Sequence, residues 1–130
     1  MPGRRRYALP MNETGIVLFA HGSRDPLWRV PFDAMLEAVR RAHTGPVLLA
    51  FLESMRPGLD EAVDTLAAQG LRSIRVVPLF LAAGSHIRQD MPQLIEEAQA
   101  RHPGVVITTL HVMGDDKDIQ AAIVRYALGR

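Results

Sequence analysis

The strongest constraint on this chain is an alternation: four short apolar runs are separated by stretches whose apolar residues recur at helical spacing. The runs are GIVLFA (15–20), PVLLAFLE (46–53), IRVVPLFL (74–81) and VVITTLHV (105–112). They are rich in β-branched residues and mostly apolar on both faces, as strands are in a sheet covered on both sides. Between and after them come Phe32, Met35, Leu36 and Val39; Leu59, Ala62, Val63 and Leu66; Met91, Leu94, Ile95 and Ala98; and Ile119, Ala122, Ile123 and Tyr126. Each set follows i, i+3, i+4, i+7, so each is expected to form an amphipathic helix with one buried stripe.

Boundary residues refine this reading. Gly70 and Gly104 stand where left-handed helix C-caps are expected, and Pro57 and Pro92 suit first helical turns. Asp25 and Asp90 read first as helix N-caps. Pro78 cannot donate to a ladder, so the third strand is expected to end near Val77 or to bulge there.

Four β-α units in succession imply a parallel sheet with right-handed crossovers, and the common open arrangement has strand order 2-1-3-4. The expected fold is thus a single α/β, flavodoxin-like domain of three layers over residues 15–130, preceded by a flexible tail at 1–14. Met11 offers an alternative start, and a chain beginning there is expected to fold and work as the full one does. Ligands of such sheets bind beyond the carboxyl ends of the strands, where the strand order reverses. His21 follows strand 1, Glu53 ends strand 2, and Ser85 and His86 lie in the loop after strand 3, so all are expected on one rim. Arg24 and Arg88, each within three residues of a rim histidine, could clamp acidic groups of a ligand. His43 and His102 sit at helix C-termini and His111 near the end of strand 4; these three are read as structural.

Composition removes other classes. Fifteen basic and fourteen acidic residues leave a net charge of +1, with no footprint for nucleic acid or for a membrane surface. No apolar run approaches the roughly 18 residues of a membrane span, and YALP is too short for a signal-peptide core, so the expected location is the cytoplasm. Without cysteine, a metal site must draw on His, Asp, Glu or water. HGSR lacks the leading Arg of the phosphohistidine phosphatases. A G-x-S-x-G elbow and a Gly-rich phosphate loop are both missing.

Three blocks, LFAHGSRDP (18–26), AFLESMRPGLDEAV (50–63) and VVPLFLAAGSHIRQDMP (76–92), resemble in order and distance the landmarks of the short-form sirohydrochlorin cobaltochelatase and ferrochelatase family. The resemblance runs from about Gly15 to the C-terminus. It implies a chelatase-like fold and insertion of a divalent metal, cobalt or alternatively iron or nickel, into a tetrapyrrole such as sirohydrochlorin on the way to cobalamin or siroheme. It implies catalytic and metal-ligating roles for His21, His86 and Glu53, with Ser23, Arg24, Ser85 and Arg88 expected to hold the ring. No permanently bound cofactor is expected, the metal being a substrate. Because longer relatives fuse two such units, this chain is expected to act as a homodimer. The competing expectation is a carrier that binds a tetrapyrrole or metal without catalysis.

The chemistry suits these residue types. Metal insertion removes two pyrrole protons while the ion sheds water, which calls for neutral bases and for ligands that release the ion. Imidazole, with an ordinary pKa of about 6.5, serves both purposes.

Overall fold

A computed structural model of the protein describes residues 14–130. The expected tail, residues 1–14, lies outside these except for Thr14, which already belongs to the first strand. The strands are β1 (Thr14–Ala20), β2 (Val47–Phe51), β3 (Ser73–Pro78) and β4 (Val106–Thr109). The helices are α1 (Val30–Ala42), α2 (Leu59–Ala68), α3 (Ser85–Arg101) and α4 (Lys117–Ala127), with 3-10 turns at Pro26–Arg29 and Met113–Asp115. All strands are parallel and the order is β2-β1-β3-β4, as expected from the β-α repeat.

β1 is buried on both faces, which is why GIVLFA shows no alternation, whereas β3 alternates, burying Ile74, Val76 and Pro78 and leaving Arg75 exposed. Val17, Phe19, Ile74 and Val76 point to the side covered by α2 and α3, where Leu59, Val63, Leu66, Met91 and Ala98 complete one core. Ile16, Leu18, Leu49 and Phe51 point to the other side, where Leu36 of α1 is buried and Phe32 and Val39 pack beside it. Trp28 stacks on Phe32 at 4.4 Å between ring centroids and closes the top of this second core.

Several boundary expectations need correction. β3 does end at Pro78, and the next donor, Leu79 N–H, resumes pairing to Phe19 O at 2.8 Å. Gly70 takes the left-handed conformation at φ 88°, whereas Gly104 does not, because His102 already closes α3 with its N–H to Ala98 O and Gln99 O. Pro57 lies ahead of α2, which is started instead at Gly58, whose N–H donates to Glu61 Oε1 at 3.1 Å. α3 begins at Ser85, six residues before the expected start. Ser85, His86 and Asp90 are thus helical, Asp90 is no N-cap, and Pro92 lies inside the helix. Asp25 does cap its 3-10 turn, its Oδ1 accepting from Leu27 N–H at 3.0 Å.

The largest departure is α4. It has the expected stripe, but none of its residues is buried; Ile123 is 43% and Tyr126 87% exposed. Its principal neighbour is the Met113–Asp115 turn, and it does not complete the layer over its own sheet.

The three histidines read as structural behave differently from one another. His43 Nε2 lies 2.8 Å from Thr14 O and ties the end of α1 to the start of β1. His111 Nε2 lies 3.6 Å from Asp116 Oδ1. His102 Nε2 lies 2.6 Å from Asp64 Oδ1 on α2, with Arg101 Nη2 at 3.0 Å from the same oxygen. The His102 hydrogen bond, more than Arg101, holds the Asp64 carboxyl below its usual range against an opposing cost of burial. A depressed carboxyl stabilises the fold above its unfolded-state pKa, and that contribution disappears as pH falls through the folded-state value. Asp64 is half exposed, so the link is worth at most about 1 kcal/mol. Asp64→Asn is expected to melt slightly earlier than wild type at neutral pH and to converge with it in acid. A difference that persists unchanged below the carboxylate range would contradict this account.

Candidate active site

The carboxyl ends of β1, β2 and β3 converge at the switch point between β1 and β3. β1 delivers His21 directly, since Ala20 is its last residue. Pairing continues past the strands: Leu52 N–H donates to Ala20 O at 2.9 Å and Glu53 N–H to His21 O at 3.0 Å. This backbone zipper brings the two side chains into register, with His21 Nε2 3.1 Å from Glu53 Oε2. Both are accessible, their side chains being 50% and 60% exposed. The imidazole stands edge-on to Phe80 at 6.3 Å, and Phe80 in turn stands edge-on to Phe19 in the core at 5.8 Å. An apolar wall from the β3 end therefore fixes the side of the ring away from water.

Two backbone features hold the pair, and the sequence reading assigned a role to neither. Gly22 has φ 95°, and a Cβ there would lie 1.9 Å from Glu53 O, so the β2 loop closes down on a residue that must have no side chain. The glycine of HGSR was the available signal. Ser54 has φ 67° in a three-residue turn closed by Met55 N–H to Glu53 O at 2.8 Å. A non-glycine residue in that conformation is strained, and such strain collects at functional loops. It aims the Glu53 side chain at His21 and no residue-level signal announced it.

His86 is not brought to this pair. It lies in the first turn of α3 and its Nε2 is 2.7 Å from Asp90 Oδ2, one helical turn further on, with the side chain 81% exposed. Among the described residues no group of three or more His, Asp or Glu is gathered closely enough to hold a metal ion. The remaining expected residues are spread along the rim. Ser23 Oγ accepts from Asp25 N–H at 3.0 Å and so braces the turn. Arg24 is exposed, and Ser85 is the exposed first residue of α3. Arg88 Nη1 donates to Ala83 O at 3.0 Å and holds the approach to α3. Leu81, 58% exposed, gives the rim an apolar surface beside Phe80.

The CbiX family model matches residues 15–127. The chain belongs to the CbiX family. Over 117 residues it is 34% identical to the sirohydrochlorin cobaltochelatase of Saccharolobus solfataricus, covering 85% of this chain and 91% of that one. It is 36% identical over 81 residues to the sirohydrochlorin cobaltochelatase of Methanothermobacter thermautotrophicus, covering 62% of this chain but spanning only 57% of that relative. Its structure resembles a CbiX protein of Marinobacter aquaeolei at a TM-score of 0.80 and 35% identity, covering 89% and 95% of the two chains. It also resembles the cobalt complex of the sirohydrochlorin chelatase SirB from Bacillus subtilis at a TM-score of 0.76 and 28% identity, covering 89% of this chain and 50% of SirB. The chelatase-like α/β fold expected from the three blocks is therefore the observed one.

Proposed function

We propose that this chain is a chelatase that inserts a divalent metal ion, cobalt in preference to iron or nickel, into sirohydrochlorin. The observation that carries the reading is the His21–Glu53 pair, 3.1 Å apart and open to solvent at the switch point of a CbiX-family sheet. Two ligands bound at about 2.1 Å and at right angles to one another stand about 3 Å apart. The pair can thus receive an ion by giving up its mutual hydrogen bond, without moving the backbone. Two ligands on an exposed rim hold an ion weakly, which suits handing it to a ring more than storing it, and that favours a catalyst over a carrier.

The proposed sequence of events uses this chain's own groups. Glu53 supplies the negative charge that draws the ion to the rim. His21, backed by Phe80, holds the ion through Nε2. The ring lies over Leu81 with its acidic substituents toward Arg24 and Arg88, and Ser23 and Ser85 contact its edge. His86 swings from Asp90 toward the ring, joins His21 and Glu53 around the ion until the ring nitrogens take it, and then, its lone pair freed, accepts one pyrrole proton as a neutral base while the second passes to solvent water. Its exposure leaves the side chain room for that movement.

The same reading makes the protein a homodimer, because a single rim is a shallow seat for a ring-sized ligand and two facing rims enclose it. The match of this chain to half of SirB supports that arrangement. We place the enzyme in the cytoplasm. Among the described residues no helix is long and apolar enough to cross a membrane.

The test is turnover of sirohydrochlorin with Co2+, Fe2+ and Ni2+ in parallel, each corrected for the spontaneous reaction. Multiple turnovers per chain with cobalt fastest are expected; saturation at one equivalent of bound ring or metal would make the protein a carrier. Glu53→Gln keeps the shape and loses the charge, so its cobalt rate is expected to fall about tenfold, between wild type and the histidine variants, mostly through a raised KM for the metal. A Glu53→Gln variant with wild-type KM and rate would remove Glu53 from the site.

A further inference from the structure

The loop after β2 carries two exposed charges, and the metal pair uses only one of them. Phe51 N–H donates to Pro57 O at 2.9 Å and Phe51 bridges to Gly58, so residues 52–57 leave the sheet and return to it at one point. Leu52 packs on the core covered by α2 and α3, and Met55 on the core covered by α1, which pins the loop on both faces of the sheet. Glu53, Ser54 and Arg56 stay exposed. Glu53 is turned to His21, and Arg56 to Glu61 in the first turn of α2.

Arg56 Nε donates to Glu61 Oε1 at 3.3 Å and its Nη2 donates to Glu61 Oε2, while Gly58 N–H donates to Glu61 Oε1 at 3.1 Å. These hydrogen bonds, that of Arg56 foremost, hold the Glu61 carboxyl below its usual range. An exposed ion pair adds little to stability, but this one orients the guanidinium. With the Nε edge of the planar fork taken, the other edge, formed by Nη1 and Nη2, is left to solvent on a side chain that is 84% exposed. Glu61 offsets part of the charge, so the free edge acts through directed donors more than through long-range attraction.

Arg56 is three positions beyond Glu53, so their Cα atoms stand within about 11 Å of each other. A ring centred on the metal pair therefore has its edge over Arg56. Arg24 follows β1 and Arg88 follows β3. The three strands that meet at the switch point thus each contribute one guanidinium around the pair.

We propose that the free edge of Arg56 binds a peripheral carboxylate of the ring and, with Arg24 and Arg88, selects rings whose acidic groups run around the whole circumference over rings acidic on one edge. Sirohydrochlorin is of the first kind. A ring acidic on one edge leaves at least one guanidinium facing an alkyl group, desolvated and unpaired. The clamp rests on the proposed seating of the ring at this rim and not on turnover.

Binding is measured without metal, by ring fluorescence, as the full chain is titrated into uroporphyrin, which bears acetate and propionate on every pyrrole, or into deuteroporphyrin, whose carboxylates share one edge. Wild type is expected to prefer uroporphyrin. Arg56→Gln is expected to lose about tenfold in affinity for uroporphyrin, the cost of one charge-assisted contact, and to change little toward deuteroporphyrin. Arg56→Lys, which keeps the charge and loses the fork, is expected to fall between. In turnover, Arg56→Gln is expected to raise the KM for sirohydrochlorin about tenfold while kcat, the KM for cobalt and the melting temperature stay near wild type. Wild-type binding of neither ring, an Arg56→Gln affinity for uroporphyrin equal to wild type, or equal losses for both rings would overturn the proposal. So would a raised KM for cobalt with a lowered melting temperature, which would make the Arg56–Glu61 pair a brace for the loop. Turnover indifferent to Arg56 would remove the clamp and leave the chelatase standing, whereas Arg56-dependent uroporphyrin binding without turnover would do the reverse.

Discussion

Alanine at His21 is expected to reduce metal insertion by about 10²–10⁴-fold, the range that loss of a positioned acid–base group commonly costs. His21 carries three relations at once: to Glu53 through Nε2, to the Phe80 wall, and through the backbone to the β2 loop. Only the first two depend on the side chain. The fold should therefore survive the substitution with a small loss of stability, since the side chain is half exposed. His86→Ala is expected to fall as far, and the double variant little further, because groups acting on one ion and one ring work as a unit and do not add. His43→Ala is the control. It gives up a 2.8 Å hydrogen bond to Thr14 O, costing about 1 kcal/mol of stability, and keeps near-normal turnover. If the His21 and His86 variants fold and insert metal at the wild-type rate, the proposed site is in the wrong place.

Gly22→Ala is expected to damage the site through the backbone. The new methyl would have to occupy a point 1.9 Å from Glu53 O at a φ of 95°, so either the β2 loop lifts or residue 22 abandons its conformation. Both outcomes break the Glu53 N–H to His21 O bond that sets the pair in register. A loss of about 2 kcal/mol or more is expected, lowering the melting temperature by roughly 5–10 °C, together with a collapse of insertion that extra metal does not rescue. Gly104→Ala is the contrast, for nothing lies within 4 Å of a Cβ there and its φ is not positive, so it should change stability little. Equal melting temperatures for the two variants would show that the close approach at Gly22 is not what holds the rim.

The strands, their parallel order and the switch-point location of His21 and Glu53 were legible because they depend on local pattern. Continuous apolar runs can persist only where both faces are covered, and four β-α units leave few right-handed topologies. The meeting of His21 with Glu53 followed from placing two strand ends side by side. What holds them, Gly22 under the Glu53 carbonyl and Ser54 in its tight turn, was not legible, since each depends on where a distant segment of backbone comes to rest. The start of α3 was misplaced because Asp90 followed by Met91 and Pro92 has the form of a helix entrance. Gly84 opens the helix a turn and a half earlier, and the structure sets His86 against Asp90 instead of Glu53.

That α4 is an amphipathic helix follows from its residues alone, because 3.6-residue periodicity is written in their order. That its stripe stays unburied does not follow from them, because burial depends on the direction in which the Gly114 turn releases the helix, and Gly114 packs against Leu81, thirty-three positions earlier in the chain. His21 and His86 differ in the same way: β1 carries His21 to Glu53 by strand pairing, whereas the first turn of α3 leaves His86 exposed and paired with Asp90 one turn on.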